Sequence, residues 1–298
     1  MNNNIKTVAI AGAGTMGASM AGMFSKFGYE VILTDVSTMA IDNAMQSIKK
    51  DSEALINRIN CITETRLLKK ADLLIEAIVE NLDMKQKFWA EISQVVSDHA
   101  ILASNTSGLS ITEIAKSVKK PERFLGMHWI NPPHIIPLIE IIKGESTGVE
   151  TIETIKNICM AINKEPVVVK DAPGFVLNRI QLAVLRECLH IVESDIASIE
   201  DVDKVMKYAL GIRYACLGPF EVVDHGGIDV FHNIAGYLFE DLSSEKDSFS
   251  LLKRHFENGQ LGVKTQKGFY DYSNGMDEEA IMYRDRLYMK IVKCLFEG

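Results

Sequence analysis

The feature that most constrains this chain is a glycine-rich turn placed between a strand-like segment and a helix-like segment. Lys6–Ala11 is a β-branched, apolar run that leads into Gly12-Ala13-Gly14-Thr15-Met16-Gly17, and Thr15–Phe27 then has a helical pattern. Glycines at the first, third and sixth positions allow a tight turn, a close approach of the backbone to a pyrophosphate, and close packing of the helix on the strand. We therefore expect a dinucleotide at this turn, in contact with Gly12, Gly14, Thr15, Met16 and Gly17.

A carboxylate stands where such a turn needs one for the adenosine ribose. Asp35 ends a second strand-like run, Glu30–Asp35, at close to the ~20 residues after the last glycine that this kind of site requires. Its carboxylate accepts hydrogen bonds from ribose hydroxyls but repels a 2′-phosphate, and the three residues after it supply no arginine to hold one. The sequence therefore predicts NAD, rather than NADP, as the cofactor.

The distribution of apolar runs predicts two domains. In the first half, strand-like runs alternate with helix-like segments, which is typical of βαβ units and a mostly parallel sheet. The turn-forming stretch Lys170–Gly174 ends this pattern, and the apolar segment Phe175–Val192 predicts a buried helix. We expect the α/β fold class, with an α/β domain over residues 1–170 and an all-helical domain over residues 171–298. The strand-like runs are Lys6–Ala11, Glu30–Asp35, Leu73–Ile78, Ala100–Ala103, Phe124–Ile130, Pro137–Ile142 and Val167–Val169.

Composition narrows the classes of partner. The 298 residues include 40 Asp and Glu against 32 Lys and Arg, and the net charge of −8 argues against a nucleic-acid partner. No apolar run approaches the ~20 residues that span a bilayer. The amino-terminal residues lack a secretory segment, and the five cysteines include no C-x-x-C pair. We expect a cytoplasmic protein with reduced thiols, no membrane partner and no metal.

Polar residues with catalytic potential stand at the ends of apolar runs. Ser104–Gly108 follows one strand-like run and His128 lies near the end of another, and open α/β sheets bind ligands beyond the carboxyl ends of their strands. Taken alone, such a histidine is more often a core residue. Glu140, however, lies inside the apolar run Ile139–Ile142, where an unpartnered carboxylate is costly. An adjacent imidazole would remove that cost and make His128 a general base, although the spacing alone does not show that they touch.

Six motifs follow one another along the chain: Ser104-Asn105-Thr106-Ser107, His128-x-x-Asn131-Pro132, Leu138-Ile139-Glu140, Pro173–Arg179, Gly218–Glu221 and Lys267–Tyr272. In this order they resemble the L-3-hydroxyacyl-CoA dehydrogenase family. The resemblance implies a Rossmann domain that binds NAD and a helical substrate domain through which two chains form a homodimer. It also implies that His128 removes the hydroxyl proton, that Glu140 orients and charge-balances the ring, and that Ser107 and Asn178 hydrogen-bond the substrate oxygen. Glu80 and Lys85 match family positions at the NAD site, and Asn105 either shapes that pocket or forms a turn.

Departures from the family pattern leave the substrate open. Trp129-Ile130 and Ile136-Pro137 replace residues that are usual in enzymes for CoA thioesters, while His134–Glu140 and Gly211–Ala215 look more like the lambda-crystallin and L-gulonate 3-dehydrogenase branch. The resemblance implies interconversion of a short L-3-hydroxyacyl-CoA, such as 3-hydroxybutyryl-CoA, and its 3-keto form in fatty acid metabolism. The alternatives are oxidation of a free 3-hydroxy acid such as L-gulonate, and a crystallin-like structural or NAD-binding protein. The last would not need the full set of four catalytic candidates.

Overall fold

The computed structural model describes residues 5–296 with the exception of the Asp51 side chain, and an eight-stranded sheet is followed there by a series of helices. The first four residues, which belong to the amino-terminal stretch without a secretory pattern, lie outside the described range. The strands are β1 (Thr7–Ala11), β2 (Glu30–Thr34), β3 (Ile59–Ile62), β4 (Leu73–Glu76), β5 (Ile101–Ser104), β6 (Phe124–Trp129), β7 (Leu138–Lys143) and β8 (Glu165–Lys170).

The sheet has the order β3-β2-β1-β4-β5-β6-β7-β8. Neighbouring strands are parallel except for β6 and β7, which are antiparallel, so the prediction of a mostly parallel sheet is confirmed. The strand order reverses between β1 and β4, and ligands of such sheets bind beyond the carboxyl ends of the strands at that point.

Helices cover both faces of this sheet. Strand β1 contributes Val8 and Ile10 to one apolar cluster and Ala9 to the other, and all three are completely buried. Burial on both faces explains why this strand is a continuous apolar run in the sequence. The helices of this part are α1 (Thr15–Lys26), α2 (Thr38–Asp51), α3 (Leu82–Val95), α4 (Ile111–Ala115) and α5 (Val149–Ala161), with 3₁₀ turns at Glu53–Arg58, Thr65–Lys70 and Pro121–Arg123.

The chain divides into two compact units, Met1–Arg179 and Ile180–Gly298. The described part of the second unit contains helices and no strand, so the predicted fold class is confirmed. Its elements are α6 (Leu177–Glu193, which begins in the first unit), α7 (Ile199–Val205), a π-helix (Met206–Leu210), α8 (Gly211–Cys216), α9 (Pro219–Gly226), α10 (Ile228–Leu238), α11 (Ser250–Glu257), a 3₁₀ turn (Val263–Thr265) and α12 (Met276–Phe296).

The prediction of a buried helix over Phe175–Val192 is wrong for the single chain. Within α6 only Leu189 is buried, whereas Ile180 and Leu182 are 56% and 57% exposed. The apolar pattern that suggested burial is real, but the faces that carry it are open to solvent in one copy of the protein.

Candidate active site

A histidine and a glutamate face each other at the carboxyl end of β6. His128 and Glu140 are register partners in the antiparallel pair of β6 and β7, and they are only 5% and 2% exposed. Nδ1 of His128 lies 2.8 Å from Oε2 of Glu140. This hydrogen bond offsets the cost of burying the carboxylate and fixes the orientation of the ring. The second ring nitrogen, Nε2, is left for another partner.

The start of α6 holds the other oxygen of Glu140. The backbone N–H groups of Val176 and Leu177 donate hydrogen bonds of 3.0 and 2.9 Å to Oε1. The preceding turn brings them there through Gly174 and Phe175, whose φ angles are 74° and 50°. Such an angle is uncommon for a residue that carries a bulky side chain, so the turn is strongly specified by its surroundings. The ring of Phe175 lies 5.8 Å from the His128 ring, centroid to centroid.

The structure also brings Ser107 and Asn178 together. Nδ2 of Asn178 donates a hydrogen bond of 2.6 Å to the backbone oxygen of Ser107. Ser107 follows β5, which is the neighbour of β6, so it lies at the same edge of the sheet as the His128–Glu140 pair. Its backbone N–H donates to Oε1 of Glu80 at 2.9 Å, and the hydroxyl of Thr106 donates to the same oxygen at 2.5 Å.

Beneath Glu80 lies a buried ion pair that the sequence analysis missed. Glu76 ends β4 with no exposed surface and pairs with Lys85, which is 1% exposed. The hydroxyl of Ser104 donates to the other oxygen of Glu76 at 2.9 Å, and Nζ of Lys85 lies 3.5 Å from Oε2 of Glu80. The ammonium group of Lys85 is therefore buried inside the domain, and it also contacts the partly exposed side chain of Glu80. The available signal for Glu76 was a carboxylate within the apolar run Leu73–Ile78.

Asn105 connects the two strands that carry these groups. Its Oδ1 accepts a hydrogen bond of 2.9 Å from the backbone N–H of Trp129, the residue after His128. This contact gives Asn105 a structural role between β5 and β6, and it leaves the amide N–H groups of Asn105 for a ligand at the carboxyl ends of these strands.

The glycine turn after β1 has room for a pyrophosphate. Gly12 has a φ of 108°, and a Cβ atom on it would lie 2.5 Å from the backbone oxygen of Ala77. A Cβ atom on Gly17 would collide with the backbone oxygen of Gly12, whereas one on Gly14 would meet nothing within 4 Å. Gly14 is the N-cap residue of α1 and has no side chain to cap the helix. The N–H groups of the first turn, which includes Thr15 and Met16, are therefore available to an anion.

Asp35 stands beside this turn, directly after β2. Its Oδ2 accepts a hydrogen bond of 2.8 Å from the N–H of Ala13, and its Oδ1 accepts one of 2.9 Å from the N–H of Ser37. Each carboxylate oxygen keeps acceptor capacity for a further donor. The geometry fits a ribose with two free hydroxyls.

The described side chains form no metal site: no group of three or more His, Cys, Asp or Glu among them is arranged to hold a metal ion. None of the described helices is long and apolar enough to cross a bilayer. All five cysteines are free thiols, and Cys159 is buried.

Comparison with protein families gives two matches that follow one another along the chain. The model for the NAD-binding domain of 3-hydroxyacyl-CoA dehydrogenase matches residues 7–172, and the model for the carboxyl-terminal domain of the same enzyme matches residues 174–272.

Individual relatives differ in the reaction for which they are named. A 5-formyl-3-hydroxy-2-methylpyridine 4-carboxylate 5-dehydrogenase of Mesorhizobium japonicum is 34% identical over 90% of this chain and 91% of its own length. A 3-hydroxybutyryl-CoA dehydrogenase of Clostridioides difficile is 35% identical over 89% of this chain and 99% of its own. A crystal structure of the pyridine-carboxylate dehydrogenase, described as an NAD⁺-dependent dismutase, superposes with a TM-score of 0.93 at 33% identity and covers 99% of both chains.

Proposed function

Because the chain belongs to the 3-hydroxyacyl-CoA dehydrogenase family and is an NAD-dependent oxidoreductase, we propose that it interconverts a short-chain L-3-hydroxyacyl-CoA and the corresponding 3-ketoacyl-CoA. The observation that carries this proposal is the buried 2.8 Å contact between His128 and Glu140 at the carboxyl end of β6. The substrate we propose, 3-hydroxybutyryl-CoA, is the one for which the relative in Clostridioides difficile is named.

In the proposed reaction His128 is the general base. Its Nδ1 is engaged by Glu140, so Nε2 accepts the proton of the substrate hydroxyl while the hydrogen on the same carbon leaves as hydride. Bound NAD supplies the hydride acceptor. The Glu140 carboxylate balances the charge of the imidazolium that forms, and the two N–H groups at the start of α6 keep that carboxylate in place. In the reverse direction the imidazolium returns the proton to the carbonyl oxygen.

Ser107 and Asn178 are proposed to bind the substrate oxygen. One N–H of the Asn178 amide is used on the backbone of Ser107, and its second N–H is free for a substrate carbonyl. The Ser107 hydroxyl adds a second polar group at the same edge of the sheet. Fixed donors at this position favour the charge that develops on the oxygen during hydride transfer.

The cofactor residues divide into two groups. The glycine turn and the first turn of α1 would hold the pyrophosphate through Gly12, Gly14, Thr15, Met16 and Gly17, and Asp35 would hold the adenosine ribose. Glu80 has an exposed carboxylate near Ser107 and is proposed to line the nicotinamide end, positioned from beneath by Lys85 and Glu76.

A second candidate substrate is a small free carboxylic acid that bears an alcohol or an aldehyde. The superposition on the pyridine-carboxylate dehydrogenase over 99% of both chains favours it. His128 could take a proton from an alcohol, or from the hydrate that forms when water adds to an aldehyde. Such a substrate lacks the CoA handle, so its carboxylate needs a nearby cation. Arg179 on α6, next to Asn178, is a candidate because its side chain is exposed.

A direct assay separates the two candidates. We would measure NADH oxidation with acetoacetyl-CoA, and NAD reduction with L-gulonate and with 5-formyl-3-hydroxy-2-methylpyridine 4-carboxylate. Turnover of acetoacetyl-CoA supports the thioester proposal. Turnover of a free acid alone, lost in Arg179→Ala but kept in Arg254→Ala on α11, would replace it with the second candidate.

A further inference from the structure

A buried lysine lies beneath the loop that joins the two strands of the His128–Glu140 pair. Lys164 stands between α5 and β8 and is 4% exposed. Its Nζ donates hydrogen bonds of 2.6 Å to the backbone oxygens of Pro133 and Ile136. The same nitrogen lies 5.6 Å from the centroid of the Trp129 ring. Lys164 therefore contacts one loop at two points and also the last residue of β6.

The ammonium group of Lys164 is expensive to bury. The other buried lysine, Lys85, has Glu76 as its counter-ion, but Lys164 forms no ion pair with any carboxylate whose side chain the structure describes. Burial lowers the pKa of Lys164 to about 8. An apolar side chain of the same length would fill the space without this penalty. What only the ammonium provides is a donor for the backbone carbonyls of Pro133 and Ile136.

The loop at residues 130–137 is directly coupled to the catalytic pair. It connects β6 to β7, and the two register pairs next to it are Trp129 with Ile139 and His128 with Glu140. Within the loop, the N–H groups of Ile135 and Ile136 both donate to the oxygen of Pro132 at 3.0 Å. Lys164 bridges the two sides of this turn, so a displaced loop would pull on the strand ends that carry the pair.

The backbone of Lys164 is itself held firmly. Its N–H donates to the oxygen of Cys159 at the end of α5 at 2.8 Å, and the N–H of Glu165 donates to the oxygen of Pro137 at 3.0 Å. One bond ties the residue to a helix and the other ties its neighbour to the far end of the loop. The ammonium group thus projects from a rigid base.

From these contacts we propose that Lys164 is a positioning residue of the active site, whose ammonium group holds the 130–137 loop and thereby the strand ends that carry His128 and Glu140. It acts through the loop and has no contact with the reacting atoms. The expected effect on kinetics rests on the proposed function, whereas the expected effect on the 130–137 loop rests on the described contacts alone.

Chemical rescue provides the kinetic test. Lys164→Ala removes three methylene groups and the ammonium, which n-propylammonium can replace. With whichever assayed substrate the wild type turns over, we expect kcat/KM to fall about 100-fold, the loss typical of a misplaced catalytic group. The dissociation constant of NAD should stay within about twofold, because the glycine turn is distant in the sheet order. Added n-propylammonium should restore much of the activity, and uncharged 1-propanol should not. Lys87→Ala, at an exposed lysine on α3, is the matched control and should behave as wild type.

Amide exchange provides a test that needs no substrate. Lys164→Met keeps most of the stem and removes the charge, so the protein should fold. We expect the amides of Ile135 and Ile136 to exchange at least about tenfold faster than in the wild type, while that of Val8 in β1 is unchanged. Unchanged exchange at both amides, or equal rescue by the amine and the alcohol, would overturn the proposal. A wild type inactive on every assayed substrate would count against the proposed function alone, since the exchange result would still decide the role of Lys164.

Discussion

Glu140 accepts a hydrogen bond from one nitrogen of His128 and leaves the other nitrogen for the substrate. Substitution of either residue should therefore affect catalysis rather than NAD binding. We expect His128→Gln to lower turnover by about 10² to 10⁴, the usual contribution of a general base. NAD should bind normally, because its proposed contacts lie at the glycine turn after β1 and not on β6. Steady-state kinetics and titration calorimetry with NAD measure the two effects.

The control for this substitution is His99→Gln, which changes an exposed histidine in the turn before β5. Glu140→Gln should also be slow, since an amide cannot balance an imidazolium and offers only one acceptor oxygen for the contacts that the carboxylate now makes. A folded His128→Gln protein with near-normal turnover would remove His128 from the role of base.

Asp35 should set the choice between the two nicotinamide cofactors. One of its oxygens accepts the N–H of Ala13 in the glycine turn and the other accepts the N–H of Ser37 before α2, so the carboxylate is fixed where a 2′-phosphate would have to lie. We expect kcat/KM to favour NAD over NADP by more than ~10-fold, which needs only ~1.4 kcal/mol of discrimination. Asp35→Ser should reduce that ratio mainly by improving the use of NADP. Equal efficiency of the wild type with both cofactors would contradict the assignment.

How much of the site was predictable depends on the signal that each residue leaves in the sequence. Glu140 stands out because it interrupts an apolar run, and Glu76 has the same signature inside Leu73–Ile78. The partner of Glu76 is Lys85, and their contact depends on how α3 packs, which no local pattern reports. Lys164 stands in a polar turn with the appearance of a surface lysine, and only the three-dimensional course of the 130–137 loop buries it.

At the scale of elements, Asp171 joins the end of β8 to the start of α4. Its Oδ2 accepts hydrogen bonds from the Ser110 hydroxyl at 2.7 Å and from the Thr112 N–H at 2.8 Å. Burial by itself raises the pKa of Asp171, but the donors on Thr112 and Ser110 outweigh it and hold the pKa below the ordinary value. With only five residues, α4 depends on such contacts more than a long helix does.

We expect Asp171→Asn to lower the free energy of unfolding of the first unit by about 1 kcal/mol at neutral pH. Because the folded state lowers the pKa, the stabilising effect is complete above the unfolded value of ~3.9 and is lost as the pH falls through the folded value. The gap between variant and wild type should therefore close below about pH 4. Urea unfolding can be followed by the fluorescence of Trp89 and Trp129, which both lie in this unit. Asp201→Asn in the helical unit is the control. A difference in the free energy of unfolding between Asp171→Asn and the wild type that persists at low pH would show that the Asp171 charge is not what stabilises the start of α4.

Sequence patterns predict most closely the bounds of strands that are buried on both faces. Strand β1 is buried on both faces and was recognised at once, within a residue of its observed bounds. Strand β3 has no such pattern, because Asn60 and Cys61 stand between its two isoleucines, and it is held at the edge of the sheet by pairing with β2. Edge pairing is a long-range interaction, which local composition does not encode.

At the scale of the whole molecule, the two units differ in how well one chain buries them. The first has two extensive apolar clusters on its sheet. In the described part of the second, Leu189 is the single buried residue, while large side chains such as Phe220, Tyr208 and Phe256 are 85%, 75% and 74% exposed. A unit of this size normally forms its own core. Exposed apolar surface on this scale marks an interface.

We therefore expect the protein to be a homodimer whose interface lies in the helical unit, as the family resemblance also implies. Sedimentation velocity at micromolar concentration should give twice the mass of one chain. Phe220→Glu should weaken association about 10- to 100-fold, since burial of such a side chain contributes roughly 1.5–3 kcal/mol. The matched control is Met160→Glu on α5, an apolar residue 53% exposed in the first unit, which should leave the dimer intact. A wild type that stays monomeric at these concentrations, yet unfolds cooperatively in both units, would show that the helical unit needs no second copy to stabilise it.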